Sequence, residues 1–265
     1  MNQQKERLLR GVKNTMLIAA LSMMLLVAVV VFFQSRPQRP DGLQPNPYGP
    51  EDFAVRDGYL TCIAGESWLG VDVSHHQGQI RWDEVADSGV QFAMIRLGHR
   101  SVSDGVIRMD TYWEENYNGA RNAGLPIGVY FYSQAISVEE AREEADFVLK
   151  VLNGRQVDFP VVFDWEDYFE NSRVANADPE IIQACAIAFC EEIAKAGYET
   201  MIYFNKDLAD RYWDLEALSL QGCSFWLAMY NSDMTWPYKI QIWQYTEKGA
   251  VNGIDGDVDL NLYLP

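Results

Sequence analysis

The sequence predicts an α/β fold, an eight-stranded barrel that keeps fewer than eight helices. Three observations lead there. Short apolar runs alternate with helix-favouring segments from residue 68 onward, the order that builds a parallel sheet. Eight such runs are enough to close the sheet on itself. The last three are joined by stretches too short and too rich in Gly, Asn and Asp for full crossover helices, so the second half of the barrel should lose them.

Strands are expected at 68–73, 91–97, 127–132, 160–166, 200–205, 225–230, 240–245 and 258–263. Helices are expected between the first five, at 80–88, 111–124, 138–152 and 178–196. Ser137 followed by Glu139 and Glu140 reads as an N-cap with an acidic first turn. Asp178-Pro179-Glu180 reads as an N-cap with proline at the first helical position. Gly124, Gly154 and Gly197 fall where helices should stop. The acidic run from Glu139 to Glu144 reads as a solvated helix face. Several strands finish in polar or aromatic residues: Asp72, Tyr132, Asp164 with Glu166, Asn205, Tyr230, Gln244 and Asp259. Catalytic groups of α/β barrels gather at the C-terminal strand ends and come from several strands. These residues therefore outline a lined mouth.

Within that mouth, Phe163-Asp164-Trp165-Glu166 says the most. It closes the apolar run of residues 159–163. Residues i and i+2 of a strand share a face, so Asp164 and Glu166 point one way, Cα atoms about 7 Å apart, and Trp165 the other. Like charges at close range raise one pKa and leave a proton donor beside an anion. Breaking a glycosidic bond uses that division. Glu166, with its longer arm, is expected to carry the proton, and Asp164, set deeper, to stay ionised.

The first sixty residues are of another kind. Residues 15–33 (TMLIAALSMMLLVAVVVFF) hold no charge and are long enough to cross a bilayer as a helix. Lys5, Arg7, Arg10 and Lys13 precede them, so a short basic segment, 1–14, should stay cytoplasmic and the rest lie outside. A cleaved signal peptide is the rival reading, but the apolar run is longer than such segments and no small-residue cleavage site follows. Pro37, Pro40, Pro45, Pro47 and Pro50, with Gly42 and Gly49, make 34–64 a linker, and 65–265 the folded domain. Six Lys and Arg against one Glu give residues 1–40 a charge of +5, which leaves −22 for the remainder of a chain at −17. A domain so acidic lacks the basic footprint that nucleic acid requires. It must also grip any polysaccharide through neutral and aromatic contacts.

Four cysteines, Cys62, Cys185, Cys190 and Cys223, allow three pairings. Cys185 and Cys190 diverge around a helix and should not bond each other; the two readings are a Cys62–Cys223 bridge and a set that is mostly small buried apolar residues. His75 and His76, adjacent in a strand, would point to opposite faces and so do not suggest a metal site with His99. Trp226, Trp236 and Trp243 each suit a barrel core. Trp243, beside Gln244 at a strand end, points to function.

The ordered blocks resemble a known family. Gly70-Val71-Asp72-Val73-Ser74-His75-His76-Gln77-Gly78 with Ile80-Arg81-Trp82 is similar to the opening D-x-S-x-x-Q/N-G-x-I-x-W of glycoside hydrolase family 25, the Chalaropsis-type lysozymes. Residues 126–132 (PIGVYFY), 162–166 (VFDWE), 225–230 (FWLAMY), 242–245 (IWQY) and 256–261 (GDVDLN) follow in order. The resemblance covers roughly 68–264. It implies a flattened β/α barrel and cleavage of the β-1,4 bond between N-acetylmuramic acid and N-acetylglucosamine in peptidoglycan, with no cofactor or metal. By position it places the active-site acids on Asp72, Asp164, Glu166 and Asp259. Glu166 would be the general acid. Asp164 would steer the substrate's 2-acetamido group or stabilise the oxocarbenium-like transition state. Tyr132, Tyr230, Trp243 and Gln244 would line the sugar subsites. The expected protein is thus a membrane-anchored peptidoglycan hydrolase. The alternative is a catalytically silent glycan-binding or scaffold protein on the same fold, against which the retention of all four acids argues.

Overall fold

A computed structural model describes residues 42–167, 172–231 and 233–265. The expected anchor at 15–33 lies outside the described residues. Among the described residues no helix is long and apolar enough to cross a membrane.

The barrel closes. Its strands are β3 (Trp68–Val73), β4 (Phe92–Arg100), β6 (Ile127–Ser133), β7 (Val161–Trp165), β8 (Thr200–Asn205), β9 (Ser224–Ala228), β10 (Ile242–Gly249) and β11 (Val258–Tyr263). Pairing runs β3-β11-β10-β9-β8-β7-β6-β4, and β4 returns to β3. A short strand β5 (Ile107–Met109) adds to β4 as an antiparallel hairpin. The expected parallel sheet is corrected at one strand: β11 runs antiparallel to both β10 and β3. Only eight residues link β10 to β11, and a parallel return would need a crossover of a dozen or more. This reversal puts Asp259 at the start of β11, at the same mouth that the other strands reach with their C-terminal ends.

Four helices stand where expected: α1 (Trp82–Asp87), α2 (Trp113–Asn122), α3 (Val138–Leu152) and α4 (Pro179–Lys195). Ser137 caps α3 by accepting from the Glu140 N–H, and Asp178 caps α4 with Pro179 following. Two short helices, α5 (Lys206–Tyr212) and α6 (Leu215–Leu220), fill the β8–β9 connection. They are too short to show a clear helical period.

Side chains alternate as the pleat requires. Phe92, Met94, Phe159, Val162, Met201, Trp226 and Ile242 fill the barrel interior, while Phe163, Trp165, Phe204, Phe225 and Leu227 belong to the outer core beneath the helices. Two glycines let this plug form: a Cβ on Gly70 would sit 2.3 Å from the Phe92 ring, and one on Gly128 2.4 Å from Met94 Sδ. The plug fills the floor, so open space remains only towards the mouth.

Residues 42–64, read as linker, are instead part of the fold. Strands β1 (Phe53–Arg56) and β2 (Tyr59–Cys62) form an antiparallel hairpin. Asn46 N–H donates to Pro237 O at 2.9 Å, and Lys239 N–H donates to Gln44 O at 2.8 Å. Phe53 packs edge-on against Trp243, ring centroids 5.1 Å apart. The β9–β10 and β10–β11 connections carry no helix, so the outer face of β10 must be covered by something else, and this strap covers it.

Of the two cysteine readings the structure takes the buried one, and two other expectations change. All four cysteines are buried free thiols, and Cys223 lies against Cys190 and Thr200, not against Cys62. His75 and His76 form a single 3-10 turn with rings 4.0 Å apart, not opposite faces of a strand. Glu144 is completely buried, because α3 packs that face onto the barrel.

Candidate active site

Four carboxyl groups meet at the mouth. Asp72 near the end of β3 and Asp259 near the start of β11 are direct cross-strand partners. Asp164 near the end of β7 pairs in register with Tyr132 on one side and Tyr203 on the other. Glu166 stands one residue past β7. All four line one cavity of about 370 Å³, together with Ser74, His76, Gln77, Arg96, Tyr130, Tyr132, Tyr203, Trp226 and Gln244.

The acids form two hydrogen-bonded pairs, Asp72 with Asp259 and Asp164 with Glu166. Asp72 Oδ2 accepts from Asn261 Nδ2 at 2.7 Å and from Gln244 Nε2 at 2.9 Å. Neither amide is free to turn. Asn261 Oδ1 accepts from Trp226 Nε1, and Gln244 Oε1 accepts from the hydroxyls of Tyr203 and Tyr230. Both amides must therefore present N–H to Asp72, which favours Asp72 as the anion and Asp259 as the proton holder. Burial raises the Asp72 carboxyl and these donors pull it back, whereas burial and the Asp72 charge push Asp259 up to about 9.

The second pair, Asp164 with Glu166, is the more strongly perturbed. Burial first, and the neighbouring Glu166 second, push Asp164 well above the usual carboxylate range, against the pull of Arg96. Burial and the Glu166 charge thus both favour a proton shared within the pair. The proton lies on a hydrogen bond joining the two carboxyls and belongs to the pair.

Arg96 brings positive charge into this wall. It is held from behind by Asp110, with Nε to Oδ2 at 2.8 Å, and its Nη2 meets His75 Nδ1. Burial lowers the His76 pKa, with His75 and Arg96 adding to the effect. Burial raises both Tyr130 and Tyr132, so each keeps its hydroxyl proton as a donor.

Of the sugar-contact candidates, Tyr132 and Gln244 line the cavity. Tyr230 is half exposed and reaches the site through its hydroxyl on Gln244. Trp243 does not reach it. Its side chain points out of the barrel, fully buried under Phe53, with Nε1 donating to Met229 O at 2.8 Å. The inward tryptophan is Trp226. Strand parity carried the signal: Trp226 lies two residues before Ala228 on the inward face, and Trp243 is out of phase with the inward Gln244. Tyr130, two before Tyr132, was legible in the same way. Arg96 and Tyr203 were masked because single polar residues near strand ends are common.

An acidic, aromatic mouth on a closed α/β barrel defines a glycosidase. The model for glycosyl hydrolases family 25 matches residues 71–254, and the chain belongs to that family. It is 28% identical over 270 residues to the uncharacterized protein YegX of Escherichia coli, covering 95% of this chain and 90% of YegX. It is 26% identical over 197 residues to the autolytic lysozyme of Clostridium acetobutylicum, covering 72% of this chain and 54% of that protein. The fold is similar to that of the modular autolysin LytC of Streptococcus pneumoniae, with TM-score 0.68 and 22% identity over 80% of this chain and 52% of LytC. This chain spans about half the length of the latter two proteins.

Proposed function

We propose that the protein hydrolyses peptidoglycan glycan strands at the β-1,4 bond between N-acetylmuramic acid and N-acetylglucosamine. The observation that carries this reading is the interacting carboxyl pair Asp164–Glu166, set in a cavity lined by tyrosine, tryptophan and amide groups. Glu166, at the outer end of the pair, protonates the departing glycosidic oxygen. Asp164 is left as the anion facing the positive charge that develops on the sugar ring or its acetamido group. Asp72, with Asp259, supplies a second anion that keeps the pair from losing its proton early. The autolytic lysozyme relative and the synthetic peptidoglycan ligand in a LytC structure support this substrate class. We place the catalytic domain outside a cell membrane, tethered by residues 15–33.

The test is digestion of purified peptidoglycan, followed by borohydride reduction. Muramitol at the new ends is expected, and Glu166→Gln should lower the rate by at least ~10²-fold with the fold intact. Glucosaminitol ends would overturn the bond assignment. Near-normal turnover by Glu166→Gln would overturn the acid.

A further inference from the structure

Glu166 lies beyond the last ladder pair of β6 and β7, Ser133 with Trp165. Its main chain is nevertheless held on both sides. Gln134 Nε2 donates to Glu166 O at 2.7 Å and to Ser133 O at 3.1 Å. On the far side, Asp167 takes both terminal nitrogens of Arg211, at 2.6 and 2.9 Å, and the Tyr212 hydroxyl at 2.9 Å.

Gln134 is completely buried, and its own backbone is clamped by charges. Its N–H donates to the Glu144 carboxylate, which also takes Ser133 Oγ at 2.5 Å and Arg100 Nε at 2.7 Å. Its carbonyl accepts from Arg173 Nη1 at 3.1 Å, while Arg173 Nη2 binds Glu140 Oε1 at 2.6 Å. A buried arginine, Arg100, a part-buried one, Arg173, and a fully buried glutamate form a costly frame for one amide. Nothing in it touches the cavity.

We propose that Gln134 is a positioning residue for Glu166. Its amide, aimed by the Arg100–Glu144–Ser133 frame, sets the Glu166 peptide plane and thereby the place of the Glu166 carboxyl relative to Asp164 and to the glycosidic oxygen. This rests on Glu166 being the proton donor. Without the Gln134 donor, the Glu166 carbonyl loses the hydrogen bond that fixes its peptide plane from the β6 side. A shift of about 1 Å at a reacting group can cost about 10²-fold in rate.

Gln134→Met keeps length and volume and removes the donor. It should lower kcat on peptidoglycan by about 10- to 100-fold, with KM within about twofold. On an aryl glycoside whose phenolate leaves without a proton, the same variant should approach the native rate, because proton donation no longer matters. In a Glu166→Gln background, Gln134→Met should change the rate by less than about twofold. Gln134→Glu provides a second measure: neutral in acid, its carboxyl can still donate to Glu166 O, and activity should fall more steeply with rising pH than in the native enzyme. Equal losses on both substrates, or an undiminished effect in the Glu166→Gln background, would reduce Gln134 to a structural residue. Full activity of Glu166→Gln alone would instead remove the acid assignment on which the proposal rests.

Discussion

Asp259→Asn should make the protein more stable as pH rises, relative to the native chain. An asparagine keeps an N–H to offer Asp72 but cannot titrate. The native carboxyl is pushed up to about 9 by burial and by Asp72, from an unfolded value of about 3.9. Between those values the folded chain holds a proton that the unfolded chain has lost. The contribution is therefore fully present below about pH 4, declines as pH rises towards about 9, and is flat beyond. One proton corresponds to about 1.4 kcal/mol per pH unit, or about 2.7 kcal/mol between pH 5 and pH 7. Asp259 is only partly buried, so solvent screening reduces the expected gain of the variant over that interval to about 1–2 kcal/mol. Urea unfolding at pH 5, 6, 7 and 8 measures it directly. Parallel stability curves for the two proteins would refute the view that Asp259 holds the proton of the Asp72 pair.

Asp164→Asn should abolish most of the turnover and change the bell-shaped pH profile, since the pair then loses one of its two titrating groups; an unchanged rate and profile would end the two-carboxylate reading. Phe53→Ala should destabilise the barrel by about 3–5 kcal/mol, as large-to-small changes in a buried aromatic contact do, while turnover per folded molecule, measured on peptidoglycan, stays near normal. Trp243→Phe should likewise leave KM for glycan unchanged, and a tenfold rise would return Trp243 to the sugar site. The full chain should remain with membranes after a high-salt wash, and a free mature form beginning near residue 35 would refute the anchor.

The sequence by itself determined the local features. The period-two pattern at Asp164 and Glu166 put both on one face, the capping residues Ser137 and Asp178 placed α3 and α4, and the short β10–β11 connection ruled out a helix there. Each of these depends on residues a few positions apart, where backbone geometry leaves few choices. The tertiary structure decided whatever depends on neighbours distant in the chain. It turned β11 antiparallel and so brought Asp259 opposite Asp72. It recruited residues 42–64 to cover β10, burying the outward Trp243 under Phe53. It raised the Asp164 carboxyl as well, because a carboxyl's ionisation depends first on the water excluded around it and then on the charges beside it. That exclusion comes from Tyr132 and Tyr203 on flanking strands, and no spacing within residues 163–166 contains it.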